Sequence, residues 1–314
     1  MSDTTSQWVR HDIEIPRDGH TIAAWHYRPA PDNAATQSLT TEAGAPAVVL
    51  GHGFAITRDC GLQSYAEHFA SAGMHAVVFD YSGFGDSGGE PREVVSVKSE
   101  LRDYQTVVDA TRQLDGIDPD RIALWGTSYA GGLVIAAAAR DGRIAAVVSQ
   151  VPNLDNFATM RHLMARTSPI HLAWLTSAIA QDVARGILRR TPFHVQAMGP
   201  VGSHAAYVSD DGWEQVQQIA GGTWLNRVGL RDFATLPLFR AVSYLNKVPC
   251  RVLFLAAELD DLTPVAPTLA AAEKLGDRAE LVRFSTGHFG IYTEQLASEA
   301  IGAQVRFLTS ELTP

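Results

Sequence analysis

The twelve residues from Arg121 to Gly132 constrain this chain more than any others. An apolar run, Ile122-Ala123-Leu124-Trp125, ends in Gly126-Thr127-Ser128-Tyr129-Ala130-Gly131-Gly132 and passes straight into a second apolar segment, Leu133 to Ala139. That is the pattern of a strand, a sharp corner and a helix. A Ser on such a corner is held in a strained backbone conformation, with its hydroxyl raised above the sheet and the first N–H groups of the helix beside it. Small residues at Gly126 and at Ala130 or Gly131 let strand and helix pass close to that Ser. An ordinary β-to-α turn capped by Ser fits the same residues, so the rest of the chain must decide.

Residues 9–15 alternate apolar and polar, Pro16 to His20 supply turn chemistry, and residues 21–27 continue extended, which predicts a β-hairpin. Residues 29–46 have no apolar period and read as a loop. From there strands and helices alternate. Ala47 to Leu50 is a buried strand running into Gly51-His52-Gly53-Phe54, and Gly61 to Gly73 has helical spacing. His75 to Asp80 is a strand that empties into the Gly-rich stretch 81–89. This stretch lacks the Gly-Lys-Ser/Thr ending of a phosphate loop and the Gly-x-Gly-x-x-Gly spacing of a dinucleotide site, and reads as a tight crossover packed under the Ser128 corner. Residues 99–114 form an amphipathic helix, and Asp118-Pro119-Asp120 closes the connection before the next strand.

After the Ser128 helix, Ile144 to Gln150 is apolar throughout, as expected of a parallel strand covered on both faces. The alternation breaks between about Asn153 and Asn246. Here Leu172, Leu175, Ile179, Val183 and Ile187 follow a helical stripe after Ser168-Pro169, and residues 232–245 suggest another helix. The segment reads as an inserted helical cap over residues 153–246, with residues 1–152 and 247–314 as the core. The stripe is read as packing, the remaining reading being an acyl pocket or a homodimer seam. Alternation resumes with the strand 251–257, a helix from about 266 to 275, the strand 279–284 and a last helix from about 293 to 308.

Composition narrows the classes. A formal net charge of −9 and a pI near 5.6 argue against nucleic acid or an anionic membrane as partner. The two cysteines, Cys60 and Cys250, are far apart and lack metal-ligand spacing, which argues against a disulfide framework or a metal site and fits a reducing compartment. The stretch Met1 to Trp8 is polar, and the longest apolar run is too short to cross a bilayer, so the expectation is a cytoplasmic protein.

Ser128, Asp260 and His288 each stand just after a predicted strand, and ligand sites in open α/β sheets form outside the carboxyl ends of strands. His288 would take the Ser128 proton and return it to a leaving group, while Asp260 fixes the imidazole tautomer. A tetrahedral intermediate also needs preset N–H donors, for which the amides of Tyr129 and Phe54 are the candidates. Each assignment has a rival. Asp261 adjoins Asp260, Asp155 follows the preceding strand, and His52 is read as holding its turn by hydrogen bonding, with a base as the alternative.

Through His52-Gly53-Phe54, Asp80 to Gly85, Gly126 to Gly132, Glu258 to Pro264 and Gly287-His288, the chain resembles the α/β-hydrolase superfamily over nearly its full length. Trp125 to Gly132, Ala145 to Pro152 and Trp224-Leu225-Asn226 are similar to the dienelactone-hydrolase-like and polyketide-transferase-like hydrolases. The resemblance implies a mostly parallel sheet with helices on both faces, and a small-molecule carboxylic ester or thioester substrate or acyl transfer, without metal or organic cofactor. In its pattern the acid precedes a Pro by four positions, which selects Asp260 through Pro264. Ala130 departs from the second Gly of the usual Gly-x-Ser-x-Gly, and Gly131 and Gly132 follow at once.

Overall fold

The computed structural model describes residues 7–314; of the polar stretch Met1 to Trp8, residues 1–6 lie outside those described. The hairpin forms as predicted: β1 (Trp8–Arg17) pairs antiparallel with β2 (His20–Pro29) across the Asp18-Gly19 turn. The predicted loop that follows holds a short helix, α1 (Ala34–Leu39). Six residues are too few to show a period, and the capping signal is local: the Asn33 side chain accepts from the Ala35 amide.

The alternating part is built from β3 (Ala45–Gly51), α2 (Leu62–Ser71), β4 (His75–Phe79), α3 (Val97–Thr111), β5 (Ile117–Thr127), α4 (Tyr129–Asp141) and β6 (Ala146–Gln150). β3 and β4 are buried at every residue, as the unbroken apolar runs require. Asp118-Pro119-Asp120 falls within β5, in an irregular stretch where pairing with β3 jumps from Ala45↔Ile117 to Ala47↔Ile122.

The chain then departs from the sheet through α5 (Asn156–Met164), α6 (Pro169–Ile187), β7 (His194–Gly199), β8 (Ala205–Val208), α7 (Asp210–Ile219) and β9 (Val228–Gly229). Ser168 caps α6 and Pro169 opens it, as the sequence signal indicated. Two expectations need correction here. The segment is not only helix and loop, because β8, β7 and β9 form a three-stranded sheet of strands no longer than six residues. The helix expected over 232–245 is replaced by short 3₁₀ turns at Leu236–Leu238, Ala241–Ser243 and Leu245–Lys247. Pro237 interrupts helical hydrogen bonding, and the Val242 amide donates to Leu154 O instead.

The core resumes with β10 (Arg251–Ala257), α8 (Ala266–Leu275), β11 (Ala279–Phe284) and α9 (Glu294–Leu312). The main sheet has eight strands in the order β1-β2-β4-β3-β5-β6-β10-β11, antiparallel in its first two pairings and parallel from β4 onward. Apolar clusters fill both faces. One includes residues of α3, α4 and α8, the other residues of α2 and α9. Below the site, a buried polar chain ties α9 to the sheet: Trp125 Nε1 donates to Gln304 Oε1 (2.6 Å), Gln304 Nε2 to Gln150 Oε1 (2.7 Å) and Gln150 Nε2 to Tyr65 OH (3.1 Å). Cys60 and Cys250 are free and buried. Among the described residues no helix is long and apolar enough to cross a membrane.

Between β2 and β4, His26 Nε2 and His75 Nδ1 share one hydrogen bond at 2.8 Å, and both rings are buried. Burial, then the charges of His11 and Arg28, lowers His26 to about 4; burial, then His26 and Arg28, lowers His75 to about 3. An unfolded chain takes up these protons near 6.5 while the folded chain refuses them, so the stability from neutral burial is complete above that pH and falls as pH drops toward 4. Urea unfolding at pH 7 and pH 5 should therefore show a clear loss at the lower pH, and His26→Gln with His75→Gln should remove about 4 kcal/mol of it, about 2 kcal/mol for each ring. An unchanged slope in the double variant would show the pair to be silent.

Candidate active site

Ser128 sits between β5 and α4 with φ 56° and ψ −120°, a conformation that a side-chain-bearing residue avoids unless its surroundings impose it. They do so here. The Ser128 amide donates to Gln150 O at 2.8 Å, and its carbonyl accepts from Gly131 N (3.0 Å) and Asn153 N (2.8 Å). A Cβ on Gly126 would lie 2.3 Å from Ala130 O, and one on Gly132 would lie 2.3 Å from Asn153 O. Strand, helix and the following loop thus close on the corner only because those positions are glycine.

The other two groups arrive from neighbouring strands. Pairing of β10 with β11 extends past the strand ends, Glu258 N donating to Phe284 O (2.9 Å) and Leu259 N to Thr286 O (3.0 Å), which sets the two loops side by side. His288 Nε2 then lies 2.9 Å from Ser128 Oγ, and His288 Nδ1 lies 2.6 Å from Asp260 Oδ2. Asp260 is fixed in turn by the amides of Leu262 and Thr263 (2.9 and 2.8 Å) on Oδ1 and by the Thr263 hydroxyl (2.7 Å) on Oδ2. Burial favours the uncharged form of each. For His288 it is outweighed by the charge and hydrogen bond of Asp260, with Asp261 adding to them, so the imidazole sits above its ordinary value. For Asp260 burial is outweighed by His288 and then Thr263, so the carboxyl sits below its own.

The rival acids are occupied elsewhere. Asp155 caps α5 through the amides of Phe157 and Ala158 and pairs with Arg240 at 2.7 Å. Asp261 turns to the inserted segment, accepting the Ser209 hydroxyl at 2.7 Å, while its backbone carbonyl lies 3.0 Å from His162 Nε2. His52 is buried, its Nδ1–H donates to Gly53 O (3.0 Å) and its Nε2 accepts from Tyr81 N (3.4 Å). Burial, against the Gly53 bond, lowers it to about 4, so it is a neutral strut of the turn. Tyr81 stacks edge-on against it, while Ser87 and Gly88 of the same Gly-rich loop bond back to β2.

Tyr129 is the first residue of α4, so its amide has no intrahelical acceptor. The Gly53-Phe54 turn lies close to it, since a Cβ on Gly53 would stand 3.5 Å from Ser128 Cβ. The corner and this turn share a cavity of about 60 Å³, lined among others by Phe54, Ser128, Tyr129, Tyr207, Trp224 and His288. Phe54 and Tyr129 both line this cavity beside Ser128.

Sequence reasoning missed the clamps on residues 54–60. Arg58 forms a buried ion pair with Asp80, and its amide donates to Asp80 Oδ1 at 2.7 Å. From the other side Trp224 Nε1 donates to Ala55 O (2.9 Å), and Asp59 accepts the Thr223 amide and hydroxyl (both 2.9 Å). Also missed was Glu100, buried beside Tyr129 and raised by burial to about 8, so that it carries its proton at neutral pH. Its position four residues before inward Tyr104 was the signal available. Among the described residues no cluster of His, Cys, Asp or Glu is placed to hold a metal ion.

Comparisons with known proteins agree with this architecture. Residues 46–295 match the family described as the alpha/beta hydrolase fold. The Quorum-quenching protein AidA of Acinetobacter baumannii (strain MDR-ZJ06) is 31% identical over 299 residues, covering 95% of this chain and 93% of that protein. Thiohydrolase aneE of Aspergillus aculeatus is 37% identical over 123 residues, 39% of this chain and 38% of that protein. Among solved structures, the alpha/beta hydrolase GrgF of Penicillium sp. sh18 superposes with a TM-score of 0.77 at 21% identity, over 97% of this chain and 99% of that one. On the sheet order, the corner at Ser128 and these matches, the chain belongs to the α/β-hydrolase family.

Proposed function

We propose that this protein is a serine hydrolase of carboxylic esters or thioesters that works through a covalent acyl-enzyme. The observation that carries the reading is the unbroken relay from Ser128 Oγ through His288 to Asp260, at 2.9 and 2.6 Å, opening on one cavity. Ser128 Oγ attacks the carbonyl carbon as His288 Nε2 takes its proton, and Asp260 stabilises the imidazolium that forms. The amides of Phe54 and Tyr129 hold the oxyanion. His288 then returns the proton to the leaving alcohol or thiol, and a water activated by His288 attacks the acyl-enzyme and frees the acid. Residues 153–246 serve as a cap over a small-molecule site, with residues 1–152 and 247–314 as the catalytic core.

A second reading shares the first half-reaction and replaces water by an alcohol or amine acceptor. Its support is the small, largely apolar cavity, which leaves little room for water beside an acyl group, together with a relative named Polyketide transferase grgF. That relative is 29% identical over 154 residues, about half of each chain. Added alcohol should divert product from acid to ester if transfer is the main path. Product that stays acid at every alcohol concentration excludes it.

Hydrolysis of a p-nitrophenyl ester series should be lost in Ser128→Ala by at least about 10⁴-fold. Asp260→Asn should cost about 10³–10⁴-fold in kcat, while Asp261→Asn should cost less than about tenfold. The reverse ranking would move the acid to Asp261. Because His288 must be neutral to accept the proton and its pKa is raised, the acidic limb of kcat/KM should have its midpoint above 6.5. A midpoint below that value would mean that Asp260 does not act on His288 as proposed.

A further inference from the structure

The inserted segment encloses a second cavity of about 240 Å³ beside the first. Its apolar wall is formed by Met160 and Leu163 of α5, Leu172, Leu175 and Ile179 of α6, and Phe233. It shares Thr159 and Tyr207 with the catalytic cavity, so the two spaces adjoin at those side chains. The catalytic cavity alone, at about 60 Å³, is far below the roughly 300–1,000 Å³ of a site for a drug-sized ligand; with its neighbour it reaches the lower end of that range.

One polar side chain in the second cavity is incomplete. Thr159 Oγ1 donates to Asn153 Oδ1 (2.9 Å), and Asn153 Nδ2 donates to Asn156 Oδ1 (2.5 Å). This chain runs from Asn153, on the catalytic cavity, to Asn156, on the second one. It ends at Asn156 Nδ2, which has no acceptor although the residue is only 4% exposed. A buried donor left unpaired costs about 1–3 kcal/mol, so an acceptor brought by a ligand is the natural complement.

The two cavities also meet on a definite side. A leaving group must lie against His288 Nε2 to receive its proton, and His288, Leu262 and Thr263 line the catalytic cavity but not the second one. The shared Tyr207 instead meets Phe54 edge to face, ring centroids 4.8 Å apart, at the wall of the proposed oxyanion donors. We infer that the second cavity receives the acyl arm of the substrate, an apolar chain with a carbonyl or hydroxyl oxygen near its carboxyl end that accepts a hydrogen bond from Asn156 Nδ2. The inference rests on the Ser128 acyl-enzyme reading.

The test compares p-nitrophenyl acetate, decanoate and 3-hydroxydecanoate on the wild type and on Leu175→Trp, Met160→Trp, Asn156→Asp and Asn156→Leu. Ratios of kcat/KM within each variant do not depend on how much of it folds. Wild type should prefer decanoate to acetate, and 3-hydroxydecanoate to decanoate by about tenfold. Each Trp variant should lower the decanoate-to-acetate ratio at least about tenfold by filling the cavity. Both Asn156 variants should erase the hydroxyl preference, Asn156→Asp doing so while still offering Oδ1 to Asn153. Unchanged chain-length ratios in both Trp variants, or no hydroxyl preference in the wild type, would overturn the inference. Labelling of Ser128 by ethyl fluorophosphonate, read by intact mass, separates the two levels: no label overturns the acyl-enzyme reading itself, whereas labelling with a flat chain-length profile overturns only the role of the second cavity.

Discussion

The structure depends on a single backbone corner. Ser128 is held at positive φ because its amide and carbonyl are both engaged by the β6 end and the loop after it, and because Gly126 and Gly132 allow strand, helix and loop to close on one another. Such a conformation costs of order 1–3 kcal/mol and persists only when its surroundings over-determine it. Here they are a fully buried α4 start and three parallel strands. The result is a hydroxyl at the carboxyl edge of the sheet, where the loops after β10 and β11 also end.

Around that corner the ionisable groups are sorted into neutral struts, the buried Arg58–Asp80 ion pair and the His288–Asp260 pair. Burial keeps His52 neutral and Glu100 protonated, and it raises Asp80 to about 6 despite its ion pair with Arg58. The field at His288 is therefore set mainly by Asp260, with Asp261 behind it. An apolar cavity strengthens that coupling, because little solvent is available to screen it.

What could be read from the sequence divides along physical lines. The parallel strands were legible because burial on both faces leaves unbroken apolar runs, and α6 was legible because Ser168-Pro169 precedes a long helical stripe. The meeting of Ser128 and His288 with the acid loop followed from their places after strands of one sheet, and Asp260 was singled out from Asp261 only by the family pattern that sets the acid four before Pro264. The sheet of β7 to β9 was not legible, since β8 and β9 have only four and two residues and the alternating burial of β7 spans only six. Nor were the Arg58–Asp80 pair, the Trp224 bond to Ala55 or the Asn153–Asn156 bridge, because side-chain partners distant in sequence, or set by a local turn, leave no period behind.

These unread contacts link the inserted segment to the relay. Asp260 and Asp261 are consecutive yet face opposite ways, one toward His288 and the other toward Ser209 at the N-terminus of α7. The Asp261 carbonyl meets His162 of α5 as well, so α5 and the N-terminus of α7 both rest on the loop that carries the proposed acid. On the far side Thr223 and Trp224 grip residues 55–59, next to the Phe54 amide. A displacement of α5, α7 and residues 223–224 would therefore disturb the acid loop and the Phe54 turn together, which makes this segment a support for the geometry at Ser128 as well as a wall of the cavity.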